Sequence, residues 1–370
     1  MVGMSPKKAY EVTRMATYVS QIAKNLRVVD GFYIVDVGAG QGHLARELLD
    51  VVTGVKGVLA LDGDTVLVKR QASVQHPKPR IGVEHATDET DAADATSVTH
   101  KFGHITSPER LVEAVDEWFT EMETGHTLRS NIPKPVMLVS LHGCGSLSLD
   151  VLRAFVEKRF RLEDIQRGRR RWGFIASVTV PCCYNLLREG EYPVSAPLSP
   201  SKTKPEIEMA KAALHFTIIP STTALLAVRK VVWRALLECL FVHKGIKLDD
   251  MDASGRLGRF PPRAYDTWTT FLNFAGSRLG SSPESINTTL SPTLVPLARA
   301  LSILYVLRCM LGPLVEAALL EDRVRWVRER LASNDMRLTY NTLLVPLFSQ
   351  LGEVGSARNI AVVVIPEYIE

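Results

Sequence analysis

The stretch YIVDVGAGQGHLAREL, residues 33–48, decides the fold of this chain. An apolar run leads into Gly38, Gly40 and Gly42, and a helix-forming segment follows at once. In a doubly wound sheet, glycines in the turn between a strand and a helix let the backbone approach a ligand without interference from Cβ atoms. The order of strand, glycine turn and helix therefore predicts a ligand site at the carboxyl end of a parallel strand.

The acidic residues around this turn narrow the class of ligand. Dinucleotide enzymes carry G-x-G-x-x-G here and bind a pyrophosphate at the helix N-terminus. This chain has D-x-G-x-G-x-G instead, and Asp36 at the strand end would repel a phosphate but can hold an ammonium group. Asp62 ends the next predicted strand, where a carboxylate accepts hydrogen bonds from ribose hydroxyls. The pattern favours S-adenosylmethionine over NAD; the alternative is a tight turn with Asp62 as a surface cap.

The composition is that of an ordinary globular protein. Hydrophobic residues make up 46% and charged residues 23% of the 370 residues, and the net charge of +4 is too small to indicate nucleic acid. Five scattered cysteines form no disulfide framework and no secretory signal is evident, so we expect a cytoplasmic location, with the nucleus as the alternative. Charged residues and prolines interrupt the most apolar region, residues 294–320, so we expect no membrane span.

Strand and helix patterns alternate through the first half of the chain. Apolar segments at 32–37, 57–62, 136–141 and near 180 are separated by helical patterns, which predicts a parallel sheet with helices on both faces. The expected fold is α/β, a doubly wound Rossmann-like sheet with an inserted helical module before a terminal β-hairpin. We expect four parts: an N-terminal helix packing on the core (1–30), the Rossmann-like core (31–205), the helical insertion (206–332) and the closing hairpin (333–370).

Several segments together resemble one known family. The match is collinear over nearly the whole chain and is similar to the methyltransferase-like protein 25 group of class I methyltransferases. The residues that carry it are MSPKKAYEV (4–12), DVGAGQGHLAREL (36–48), LDGD (61–64), LHGCGSLSLDVLRAF (141–155), PCCYNLL (181–187), LVPLARALSILYVLRCMLGPLVEAALLEDRVRWVRE (294–329) and SARNIAVVV (356–364).

The resemblance implies a seven-stranded Rossmann-like methyltransferase sheet with S-adenosylmethionine as the methyl donor. It carries the donor site onto the positions that match the family motif: Asp36, Gly38, Gly40, Gly42 and Asp62. Lys7 and Lys8 of the MSPKK segment are candidates for contact with the donor carboxylate or with an anionic substrate. The methyl acceptor stays open between RNA, protein and a small molecule, and no obligate protein partner is evident.

Polar and reactive side chains follow two predicted strands. The third strand ends in His142-Gly-Cys144, and the fourth ends in Cys182-Cys183-Tyr184-Asn185. Adjacent parallel strands would bring these groups to the sheet edge that carries the donor site. His142, Cys182, Tyr184 and Asn185 are therefore the leading catalytic candidates.

Four interpretations of this cluster remain open. In the favoured one, His142 is a general base while Tyr184 and Asn185 position an acceptor nitrogen. In the second, the Cys182 thiolate adds to a pyrimidine ring, and in the third the histidine and three cysteines bind zinc. The spacing argues against zinc without excluding it, because H-x-C and C-C lack two-residue gaps and adjacent cysteines in a strand point to opposite faces unless the strand has ended. In the fourth, Cys144 and Cys183 are small buried residues that pack beneath the ligand.

The sequence as a whole predicts an S-adenosylmethionine-dependent methyltransferase that acts on a nitrogen acceptor, with no bound metal. The competing function is that of a non-catalytic S-adenosylmethionine-binding protein or an RNA- or ribosome-associated binding protein. The candidate donor-binding residues from Asp36 to Asp62 are all present in the expected order, which argues against a site that has lost its function.

Overall fold

The computed structural model divides the chain into two compact units, residues 1–212 with 316–370, and residues 213–315. It describes residues 4–26, 28, 30–64, 97–124, 133–160, 171–196, 224–243, 257–279, 294–332, 339–349, 356 and 358–367. The sequence also predicts a helix that begins near residue 66, a helix near 206–215 and a basic turn at 166–171. Both helices and most of the turn lie outside the described part of the chain.

The first unit is built on a seven-stranded sheet. Its strands are β1 (Phe32–Val37), β2 (Val55–Asp62), β3 (Val98–Phe102), β4 (Lys134–Cys144), β5 (Trp172–Cys182), β6 (Thr339–Pro346) and β7 (Ile360–Glu367). The strand order is β3-β2-β1-β4-β5-β7-β6. Among these strands only β7 runs antiparallel to its neighbours β5 and β6. The predicted doubly wound Rossmann-like sheet and its closing hairpin are confirmed.

Among the described residues, four helices lie in the first half of the chain and three in the second. The helices are α1 (Pro6–Asn25), α2 (His43–Val51), α3 (Pro108–Thr124), α4 (Leu147–Lys158), α5 (Ala224–His243), α6 (Trp268–Leu279) and α7 (Leu294–Leu331). Short 3-10 turns cover Tyr184–Leu186 and Pro262–Tyr265.

The central strands are mainly apolar because helices cover both faces of the sheet. Successive side chains point to opposite faces, so Ile34 of β1 joins the core under α1 and α2, whereas Val35 joins the core under α3 and α4. On the second face Trp118 and Phe155 are among the largest fully buried side chains. The ends of the parallel strands are thereby held at one edge, where the site is formed.

The second unit has a separate core of aromatic and aliphatic side chains, with Phe271, Leu272 and Leu236 fully buried. The sequence predicts a helical insertion that ends at residue 332, whereas this unit ends at residue 315. The difference has a physical reason, because Leu320, Val324 and Val327 on the last turns of α7 pack into the core of the sheet.

Helix α7 is long and apolar enough to cross a membrane by length and composition. This differs from the expectation that charged residues and prolines would prevent any such segment. Core helices of soluble proteins have the same length and composition, so the helix alone does not establish a membrane span.

The last part of α7 also holds the backbone that follows β5. Asp322 is fully buried, and its carboxylate accepts hydrogen bonds from the backbone N–H groups of Val194, at 2.9 and 3.1 Å, and Ser195, at 2.9 Å. The guanidinium of Arg323, also fully buried, lies 3.6 Å from the same carboxylate. Removing Asp322 would therefore leave two backbone donors and one buried charge without their partner.

We expect Asp322→Ala to lower the free energy of unfolding by about 3–5 kcal/mol, the usual cost of breaking a buried ion pair. The matched control is Glu321→Ala, because Glu321 pairs with Arg325 at 3.1 Å on the exposed side of the same helix. That change should cost about 0.5 kcal/mol or less. Denaturant titration of both variants measures the difference, and equal losses would show that Asp322 does not anchor this segment.

Candidate active site

The glycine turn between β1 and α2 has a backbone conformation that suits only glycine. Gly38, Gly40 and Gly42 have φ values of +75°, +57° and +64°. The backbone N–H groups of Gly38 and Ala39 both donate to the carbonyl oxygen of Leu61 at 2.9 Å, which fixes the turn against β2. A Cβ atom on Gly42 would lie 2.5 Å from the ring of His100, so this glycine is required for space as well as for its φ.

Asp62 lies at the end of β2, directly beside this turn. Its Oδ2 accepts a hydrogen bond from the Gly40 N–H at 2.7 Å, and its Oδ1 accepts one from the Asp64 N–H at 2.9 Å. The carboxylate thus orders the glycine turn and keeps further lone pairs for a ligand. Its contact with a ribose stays a prediction.

Asp36 is a buried carboxyl group without a complete set of partners. Its side chain is 1% exposed, and its Oδ2 has no hydrogen-bond partner among the described residues. Burial raises the pKa of Asp36 to about 7; the charge of Lys8 opposes this rise and that of Asp62 adds to it. An unsatisfied buried oxygen costs free energy, and a cationic ligand group would satisfy it.

A cavity of about 330 Å³ opens at this edge of the sheet. Its lining includes Lys8 of α1, Asp36, Gly40, His43 of α2 and His142 of β4. The volume falls at the lower end of the range of about 300–1,000 Å³ for small-molecule sites. The sequence had singled out Lys8 but not His43.

Lys7 and Lys8, which the sequence had grouped together, have different surroundings. Lys8 lines the cavity, whereas the ammonium of Lys7 lies 3.8 Å from a carboxylate oxygen of Glu11. The difference follows from the helix, because consecutive residues of α1 point about 100° apart.

His142 is held at the cavity by an acidic partner that the sequence analysis missed. Its Nε2 lies 3.1 Å from Oε2 of Glu11, which is 2% exposed on α1. Burial alone would raise the pKa of Glu11, but the hydrogen bond and charge of His142 lower it below its usual value. A signal was present, because Glu11 falls on the same helical stripe as the buried Met15 and Ile22.

The three cysteines at the strand ends form one cluster. Cys144 and Cys182 are register partners of β4 and β5, with their Sγ atoms 3.2 Å apart. Cys183 follows the strand with a φ of +48°, and its Sγ lies 3.8 Å from that of Cys182. Adjacent cysteines point to opposite faces only within a strand, and here β5 ends at Cys182 and the left-handed Cys183 reverses the side-chain direction.

The thiols of this cluster differ in acidity. The hydrogen bond from Cys182 lowers the pKa of Cys144 to about 6, and Cys144 is exposed. The same contact and burial raise the pKa of Cys182, which is 5% exposed. A buried thiol with a raised pKa is a poor nucleophile, so these surroundings disfavour Cys182 as the group that adds to a pyrimidine.

Tyr184 lies in the interior instead of in the cavity. It is 1% exposed, its ring carries the guanidinium of Arg358 at 5.1 Å, and burial raises its pKa. In this conformation the ring has no free face on which a planar acceptor could stack. The backbone of Asn185 lies in the 3-10 turn after β5, and its side chain is outside the described part of the structure.

A polar network fixes the segment after this turn. Glu191, 5% exposed, accepts hydrogen bonds from Ser146 and from Arg188, whose Nη2 also lies 2.5 Å from Oδ1 of Asp150. Because Ser146 and Asp150 belong to the start of α4, the network ties the chain beyond β5 to the helix that follows β4. Both cysteine-bearing strand ends are thereby held in place.

Comparison with known proteins finds one family match over part of the chain. Residues 7–190, just under half of the chain, match a family described as a methyltransferase domain. The resemblance to the methyltransferase-like protein 25 group stays a prediction from the sequence motifs.

Three solved structures are similar in part. One is the complex between the Haloferax volcanii Trm112 methyltransferase activator and a methyltransferase, with 14% identity, a TM-score of 0.24, and 49% of this chain and 58% of that one covered. PRMT6-SAH has 14% identity, a TM-score of 0.28 and coverage of 56% and 58%. The 23S rRNA methyltransferase ErmE has 12% identity, a TM-score of 0.22 and coverage of 48% and 50%.

This chain therefore spans between 50% and 58% of the length of these three structures. All three TM-scores are low, so the class assignment depends on the domain match and on the strand order. A sheet of order β3-β2-β1-β4-β5-β7-β6 together with a matched methyltransferase domain defines a Rossmann-like class I methyltransferase fold.

The buried Asp36 makes stability depend on pH. Its pKa is higher in the folded state, at about 7, than in an unfolded chain, so the folded protein binds more protons between about pH 4 and 7. The free energy of unfolding should therefore fall as the pH rises through this range. Asp36→Asn has no proton to lose and should gain stability relative to the wild type between pH 5 and pH 8.

Denaturant titration of the ligand-free protein at pH 5 and pH 8 measures this effect. Asp50→Asn is the control, because Asp50 is exposed on α2 and its replacement should leave the pH dependence unchanged. Parallel pH profiles for the wild type and Asp36→Asn would show that Asp36 is ionised over the whole range.

Proposed function

We propose that this chain is an S-adenosylmethionine-dependent methyltransferase that transfers the methyl group to a nitrogen acceptor. The observation that carries the proposal is the buried Asp36 oxygen, which has no partner in the described structure and belongs to a cavity beside the glycine turn. The methyltransferase domain match over residues 7–190 supports the same reaction. The acceptor nitrogen belongs to RNA, protein or a small molecule.

The residues present fit this donor. Asp36 would hold the ammonium group, and Lys8 in the same lining would face the carboxylate. The glycine turn offers backbone without Cβ atoms on its open side, since a Cβ on Gly40 would meet no atom within 4 Å. Asp62 would accept hydrogen bonds from the ribose hydroxyls. When bound, S-adenosylmethionine supplies a methyl group activated by its positively charged sulfur.

His142 supports transfer to nitrogen through its position and its partner. It lines the cavity, and its Nε2 faces the ionised carboxylate of Glu11 at 3.1 Å. A carboxylate accepts the Nε2 proton, so this pairing assigns the proton of a neutral ring to Nε2 and leaves Nδ1 as the basic nitrogen. His142 would take the proton that an acceptor nitrogen loses on methylation, and Glu11 would orient the ring and stabilise its charged form.

Donor binding tests the first part of the proposal. Calorimetry should detect binding of both S-adenosylmethionine and S-adenosylhomocysteine, and Asp62→Ala should weaken it by about 1.5–3 kcal/mol, the range for hydrogen bonds to a charged group. The control is Asp50→Ala, an exposed aspartate on α2. If Asp62→Ala leaves the affinity unchanged, Asp62 is not the residue that binds the ribose. If the wild type binds neither ligand, the proposal that the chain uses S-adenosylmethionine is wrong.

Labelled donor tests the reaction itself. Incubation with RNA, protein and small-molecule fractions of a lysate should label one fraction, and His142→Ala should slow that labelling by about 10²–10⁴ while sparing donor binding. Glu11→Gln should slow it less and change the pH profile, because the ring loses its anionic partner. Glu157→Gln on the exposed face of α4 is the matched control.

The outcomes of this experiment separate the functions. If the His142→Ala protein is fully active, His142 is not the general base and has only a packing role. Donor binding without labelling of any fraction would favour the non-catalytic binding protein.

A further inference from the structure

The sulfur atoms of Cys144, Cys182 and Cys183 have the spacing of ligands around one metal ion. The three Sγ atoms all lie within 4.8 Å of one another. A tetrahedral zinc ion with Zn–S bonds of about 2.3 Å holds its sulfurs about 3.8 Å apart. The Cys182–Cys183 distance is 3.8 Å, and the Cys144–Cys182 distance of 3.2 Å would need to open by about half an ångström.

The backbone around the cluster is built to bring these sulfurs together. Cys183 adopts a left-handed φ of +48°, a conformation that non-glycine residues rarely adopt and that is concentrated at functional sites. The N–H of Gly145 donates to the carbonyl oxygen of Cys182 at 2.9 Å. A Cβ on Gly145 would lie 2.5 Å from the carbonyl oxygen of Leu186, so the two cysteine-bearing segments cross at close range.

We propose that Cys144, Cys182 and Cys183 bind one zinc ion and leave its fourth coordination position open. Thiolate sulfur selects zinc, copper(I) or iron–sulfur clusters, and the sulfur spacing here is close to that around a single zinc ion. Three thiolates on Zn²⁺ carry one net negative charge.

The number of ligands indicates which kind of zinc site this is. Structural zinc sites have four protein ligands, whereas catalytic sites have three and keep the fourth position for water or substrate. Among the residues that the structure describes, no fourth histidine, cysteine or carboxylate belongs to the group. Cys144 is exposed and Cys182 is buried, so the open position lies on the side of Cys144.

Metal analysis of the full chain, purified with a reductant and without donor or acceptor, tests the site independently of methyl transfer. We expect one zinc per chain in the wild type. Cys144→Ser and Cys183→Ser should lower zinc affinity at least tenfold in competition with a chelator. The matched control is Cys239→Ser, because Cys239 is exposed on α5 in the second unit and should keep full occupancy.

A second measurement uses only the wild type, so its result does not depend on whether the cysteine variants fold. Cobalt(II) added to the metal-free protein should give thiolate-to-metal charge-transfer absorption that saturates at one equivalent, and zinc should displace it. The proposal is overturned if the reduced wild type takes up neither metal, if Cys144→Ser keeps full zinc affinity, or if a metal other than zinc occupies the site stoichiometrically. A Cys144–Cys182 disulfide in protein purified with reductant would also overturn it.

Discussion

The left-handed turn between β1 and α2 is the constraint on which the site depends. Three glycines with positive φ carry the chain from the buried strand into the helix, and hydrogen bonds from two of their N–H groups to Leu61 and Asp62 fix the turn on β2. Because the turn is pinned there, the backbone stays clear of the space above β1. That space becomes the cavity in which the Asp36 carboxyl group lies with one oxygen unpartnered.

A second constraint acts on the neighbouring strands. The parallel register of β4 and β5 sets Cys144 opposite Cys182, so the two reactive sequence motifs meet at one point. Among the described residues, the only non-glycine positions with positive φ are His142 and Cys183. Such conformations cost about 1–3 kcal/mol each and persist where the surrounding structure enforces them. The hydrogen bonds between Glu191 and Arg188 help to hold the backbone that follows the cysteine cluster.

The sequence predicted the sheet well because its signals are local. The apolar segment 32–37 is β1 to the residue, and the glycine turn and Asp62 lie together as expected. The pairing of Glu11 with His142 joins residues 131 positions apart, and no local pattern specifies such a contact. The common direction of Cys182 and Cys183 depends on one backbone angle after the strand, which residue preferences predict poorly. The prediction that Tyr184 faces the acceptor is wrong for the same reason, because its direction also depends on the backbone after the strand.

Helix α1 contributes to the lining of the cavity and also carries Glu11, the partner of His142. Ser5 caps this helix, and its hydroxyl accepts a hydrogen bond from the Lys8 N–H at 3.3 Å. Any ligand that binds the cavity therefore also stabilises the first turn of α1, and by thermodynamic linkage the order of that turn contributes to the affinity. Ser5 itself lines the cavity, so it would contribute to ligand recognition by its position as well as through the free energy of helix capping.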